Sequence, residues 1–184
     1  MKVLVVVDMQ RDFIDGALGT PEAQAIVPNV KKKIDEAIEN KYYIIYTRDT
    51  HFDNYLKTRE GKQLPVEHCL HGTRGWQIPD ELLPPADYCR YYTVDKYTFG
   101  YQNIGTLVAS AVRGYIDPFV CDEIEVVGLC TDICVVSNAL LLKSYFYDTF
   151  DISVDATCCA GVTPETHEAA LKTMEMCQIN VKRG

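Results

Sequence analysis

No pair of cysteines in the chain has Cys-x-x-Cys spacing, and the amino terminus, MKVLVVVDMQ, offers only a five-residue apolar run before Asp8. That run is too short for the apolar region of a secretion signal and far too short to cross a membrane, so neither membrane insertion nor export is expected, and a cytoplasmic location is. Positive charge is also scarce. Eighteen Lys and Arg stand against 26 Asp and Glu, for a formal net charge of -8, and the longest basic run is Lys31-Lys32-Lys33. A phosphate-neutralising surface is therefore absent, and nucleic acid is not an expected partner. Repeats and low-complexity segments are missing as well, histidine numbers four and tryptophan one.

Core-forming material is plentiful. The 184 residues are 47% hydrophobic and 24% charged, enough for a closed core, and residues 1–184 are read as one domain. The eight cysteines (69, 89, 121, 130, 134, 158, 159 and 177) are even in number. Disulfide frameworks, however, belong to short secreted chains that bury too little apolar surface. Reduced thiols, one of them a nucleophile, are the better expectation.

Short β-branched runs alternate with helical spacing. Strands are expected at Val3–Val7, Tyr42–Tyr46, Tyr91–Val94, Ile124–Gly128, Ile152–Val154 and Ile179–Val181, and helices at Pro28–Asn40, Ile104–Arg113, Asp132–Tyr147 and Pro164–Cys177. This alternation predicts a three-layer α/β/α Rossmann-like fold with a mainly parallel sheet of about six strands. One long polar stretch, from Asp49 to Cys89, has little periodicity and is either an active-site elaboration or an insertion.

Ligands of open parallel sheets bind beyond the carboxyl ends of the strands. The polar residues found there are Asp8, then Asp49 and His51, then Lys96, and finally Cys134. Cys134 falls in the first turn of a helix opening near Thr131, a residue suited to capping, where the helix dipole lowers a thiol's pKa. It could equally be a small apolar residue of a buried helix. Asp8 follows five apolar residues, so burial raises its carboxyl towards a proton-transfer role unless Lys96 offsets it. Asp49, His51 and His68 supply one oxygen and two nitrogens suited to zinc, iron or manganese. The roles of His71, Glu60, Glu67 and Trp76 stay open, and His167 is read as structural.

In combination, VVVDMQRDFIDGALG, TRDTH, PVEHCLHGTRGW, VDKYTFGY, VVGLCTDICVVSNALLLK and ISVDATCCAGVTPETHEAAL resemble the isochorismatase-like cysteine hydrolases, and among them the nicotinamidases. The resemblance implies a catalytic triad of Asp8, Lys96 and Cys134, with a cis peptide bond at Leu129–Cys130 directing the N–H groups of Cys130 and Cys134 at an oxyanion. It further implies one divalent metal, zinc before iron or manganese, on Asp49, His51 and His68. A carboxamide pocket would involve Phe13, Leu129 and Tyr101, and the chain would assemble as a homo-oligomer. The implied reaction converts nicotinamide to nicotinate and ammonia through a thioester. The alternatives are another small carboxamide, isochorismate, or a catalytically silent binding module. The chain departs from the pattern where many nicotinamidases carry tryptophan three residues before the metal histidine; here Pro65 stands, preceded by Leu64.

Overall fold

The computed structural model describes residues 2–113 and 123–184. Six strands, β1 (Lys2–Val7), β2 (Tyr43–Asp49), β3 (Tyr91–Lys96), β4 (Glu123–Leu129), β5 (Asp151–Ala160) and β6 (Asn180–Lys182), form one sheet in the order β3-β2-β1-β4-β5-β6. Every pairing is parallel. β1 is central and buried from Val3 to Val7, which is why that stretch reads as an unbroken apolar run rather than an alternating one.

Helices cover both faces. On one side α1 (Arg11–Ile14) and α2 (Pro21–Glu39) pack over Leu4, Val6, Ile44 and Tyr46; on the other, α4 (Ile104–Arg113), α5 (Val136–Phe146) and α6 (Pro164–Met176) pack over Val3, Val5, Val7 and Ile45. The strand order reverses direction between β1 and β4, the switch point where doubly wound sheets open a crevice. The intervening α3 (Arg59–Gln63) lies within the long polar stretch. Among the described residues no helix is long and apolar enough to cross a membrane.

Several boundaries differ from those expected. α2 begins seven residues before Pro28, because Thr20 caps it by accepting the N–H of Ala23 and Pro21 occupies the first helical position. Pro28 is then carried inside the helix. β5 runs to Ala160 rather than ending at Val154, so both Cys158 and Cys159 lie in the sheet. The last helix does follow the Thr163-Pro164 signal, with the Thr163 and Thr166 side chains capping reciprocally. All seven cysteines among the described residues are free thiols, and Cys121 lies outside them.

Candidate active site

Four strand ends converge at the switch point. β1 finishes at Val7, and Asp8 turns out of the sheet in the left-handed region (φ 47°), a conformation aspartate tolerates better than most residues. Its carboxylate is wholly buried, accepts the Thr47 hydroxyl at 2.6 Å and meets Lys96 Nζ at 2.6 Å. Lys96, the last residue of β3, is itself buried and lies 3.2 Å from Asp49 Oδ1 and 3.5 Å from Cys134 Sγ. One ammonium therefore touches the carboxylate of β1, the carboxylate of β2 and the thiol beyond β4.

The route to Cys134 is tightly constrained. Gly128 has φ 122°, and a Cβ there would lie 2.1 Å from the Val7 carbonyl oxygen, so only glycine lets β4 pass β1 so closely. The Leu129–Cys130 peptide bond is cis. Residues Thr131–Val135 then form a single π-helical turn, in which the Cys130 carbonyl accepts the N–H of both Ile133 and Val135. Widened turns of this kind are found frequently at functional sites.

Side chains from three directions hold this turn. Thr131 caps nothing, contrary to the expectation from sequence: the cap position is Cys130, and the buried Thr131 hydroxyl pairs instead with His167 Nδ1 at 2.8 Å. Asp132 accepts the Val162 N–H at 3.1 Å. Asn138, fully buried, donates to the Cys134 carbonyl at 2.8 Å and accepts the Tyr101 N–H at 2.9 Å, joining the turn to the loop after β3.

Electrostatics here depart from a simple helix-dipole picture. Burial, with Asp8 adding to it, pushes the Cys134 thiol well above its ordinary value despite the opposing pull of Lys96. The dipole expected to lower it does not prevail, so the resting group is a thiol and requires a proton acceptor. Burial likewise raises Asp8, with Lys96 opposing and Asp49 reinforcing. Lys96 keeps its proton because Asp8, Cys134 and Asp49 together outweigh the cost of burying it.

Beside this cluster, Asp49, His51, Glu60 and His68 bring one ligand atom each to within 4.8 Å of one another. His51 Nε2 lies 2.9 Å from Asp49 Oδ2, and His68 Nε2 lies 3.6 Å from it. The Val66 carbonyl accepts from His68 Nδ1 at 2.8 Å, which leaves Nε2 for the cluster, as in metal-binding imidazoles. Two imidazoles and two carboxylates suit a borderline divalent cation. Glu60, whose role was open in the sequence, is delivered by α3, which Thr58 caps.

The cavity above both clusters measures about 770 Å³ and is lined by Phe13, Leu129, Cys130 and Cys134 together with Asp49, His51 and His68. Tyr101 is not among the lining residues. Its ring packs against the core beside α4 and α5, and Tyr97 and Phe99 supply the aromatic wall from that loop. Trp76 does not line the cavity either: its indole N–H donates to Thr50 Oγ1 at 2.8 Å and Arg48 lies over its ring at 3.7 Å, so it anchors the polar stretch. His71 packs at tilted angles against both Phe52 and Trp76 and does not line the cavity.

The Isochorismatase domain profile matches residues 2–182, essentially the entire chain. The chain belongs to the isochorismatase family. Among its relatives, the nicotinamidase of Saccharomyces cerevisiae is 25% identical across 98% of this chain and 99% of the relative. The nicotinamidase/pyrazinamidase of Mycobacterium tuberculosis is 26% identical, with 98% of each covered. The isochorismatase-family fold is also that of the Pyrococcus horikoshii pyrazinamidase solved in complex with zinc (TM-score 0.77, 26% identity, 100% of this chain and 99% of that one).

Proposed function

We propose that the protein is a metal-assisted cysteine amidohydrolase that converts nicotinamide to nicotinate and ammonia. The observation carrying this reading is the buried contact set in which Lys96 Nζ touches Asp8, Asp49 and Cys134 at once, at the foot of a cavity that also exposes the Asp49, His51, Glu60 and His68 quartet. A catalytically silent module would have no need to bury a lysine among two carboxylates and a thiol, an arrangement costly to desolvate.

In the proposed cycle, Cys134 Sγ attacks the amide carbonyl carbon and passes its proton to Asp8. The carbonyl oxygen becomes an oxyanion facing the backbone N–H groups of Cys130 and Cys134. Collapse of this adduct breaks the C–N bond, Asp8 protonates the nitrogen, and ammonia leaves a thioester on Cys134. Water then attacks the thioester carbon while Asp8 accepts its proton; the C–S bond breaks and the thiol is restored with release of the acid. Lys96 stays protonated throughout and stabilises the negative charge that moves between Asp8 and Cys134. Asp49, His51, Glu60 and His68 are the residues that would hold a divalent metal, zinc being the best fit to the donors. When bound, that ion would supply a Lewis acid for the ring nitrogen of the substrate.

The test is ammonia release from nicotinamide before and after exhaustive chelation. The reading expects turnover in the metal-loaded protein, loss of at least about tenfold on chelation, and recovery on adding zinc. Undiminished turnover after complete metal removal would overturn the metal-assisted part.

A further inference from the structure

A single-ring carboxamide fills only a corner of the cavity described above. At about 770 Å³, the space lies within the range that buries drug-sized ligands, roughly 300–1,000 Å³. The sequence departure at Pro65 contributes to this: where a tryptophan would close the wall, the chain offers exposed Leu64 and Pro65, and Leu64 is a lining residue.

The polar residues that line the cavity fall into two groups. One belongs to the catalytic and metal clusters. The other includes Arg59 and Gln63, one helical turn apart on α3 and so on the same side of it. Among the described residues, Arg59 is the only lysine or arginine lining the cavity. Both residues are exposed, and among the described residues neither the Arg59 guanidinium nor the Gln63 amide has a hydrogen bond or ion pair within the protein. The same short helix delivers Glu60 to the metal quartet, so the backbone of Arg59 stands directly beside a residue of that quartet. The lining also includes the apolar and aromatic residues Leu64, Tyr97, Phe99 and Val162.

Building on the amidohydrolase reading, we infer that the preferred substrate is a primary carboxamide carrying a second, anionic group across an apolar body, and that Arg59 with Gln63 forms the subsite for that anion. A carboxylate matches the forked guanidinium geometrically, and the amide of Gln63 adds a donor beside it. Cys134 attacks the carbonyl of a neutral amide, so the amide of such a substrate lies at the catalytic cluster and its anion at Arg59.

The experiment uses the metal-loaded protein and aromatic carboxamides bearing a carboxylate, directly or through chains of one to four carbons, each paired with its methyl ester. For the wild type, at least one acid is expected to show a KM about tenfold below that of its ester. Arg59→Ala should erase that preference, and Arg59→Glu should reverse it, favouring an amine-bearing analogue. Equal KM values within every pair, or an unchanged order in Arg59→Glu, would overturn the inference while leaving nicotinamide hydrolysis standing. If no carboxamide is hydrolysed, the catalytic reading fails instead, and calorimetric binding of the same acids and esters to Cys134→Ala still decides the Arg59 subsite.

Discussion

Lys96 gives the site its internal logic. A buried ammonium is tolerable only beside compensating charge, and here two carboxylates and a thiol surround it within 3.5 Å. Removing one partner of such a set leaves the others uncompensated. Lys96→Met is accordingly expected to destabilise the fold by about 3 kcal/mol or more, read by denaturant unfolding, as well as to abolish turnover. The Cys134→Ala protein should remain folded because only a small apolar-like side chain is lost. A Lys96→Met protein as stable as the wild type would show that the ion cluster has little structural weight. Asp8, Lys96 and Cys134 were legible in the sequence because each stands just beyond a β-branched run, where a parallel sheet presents its ligands. The thiol's elevated pKa was not legible, because the burial responsible for it comes from elements far apart in the chain.

At the scale of elements, the π-turn Thr131–Val135 is held in shape by its neighbours. His167 of α6 and Asn138 of α5 each hold one of its polar groups, and neither touches the cavity. Asn138→Leu frees the Cys134 carbonyl and unties the loop that carries Phe99. We expect kcat to fall by about tenfold or more with a smaller change in KM, while Asn138→Gln or an exposed control such as Met176→Gln serves for comparison. Unaltered kcat in Asn138→Leu would mean that the turn keeps its shape without the clamp.

Legibility differed from element to element. The last helix is signalled by Thr163-Pro164, whereas the spacing that marks a helix over Pro28–Asn40 misses its first two turns, which Thr20 and Pro21 initiate. The family resemblance implies Tyr101 as part of the pocket wall; the Asn138 bond to its backbone N–H and the packing of its ring against the core leave Tyr97 and Phe99 to line the cavity. Glu60 lay in a stretch without periodicity, where spacing says nothing about which carboxylate reaches a distant histidine.

Considered as a whole, the molecule separates chemistry from anchoring. The carboxyl ends of the strands carry the reactive groups. Nearer the amino ends, a chain of ion pairs runs from Lys2 through Glu123, Lys182, Glu125 and Lys33 to Asp155. Burial opposes ionisation of Glu123, but hydrogen bonds from Lys182, Lys2 and Ser153 prevail and lower its pKa from 4.5 to about 2. A carboxylate with a depressed folded pKa contributes stability that is fully present above its unfolded value and lost as pH falls through the folded one. Stability should therefore decline between about pH 4.5 and pH 2, and Glu123→Gln should flatten that decline in urea titrations. An identical acid profile in the variant would assign the loss to other carboxylates.

Amide hydrolysis at the β1–β4 switch point with Cys134 as nucleophile, as proposed above, is decided by the ammonia released from nicotinamide by the metal-loaded wild type and by Cys134→Ala under identical conditions. The wild type is predicted to release ammonia and nicotinate in equal amounts, and the variant to be slower by at least about a thousandfold. Comparable release by the two proteins would exclude Cys134 as the nucleophile.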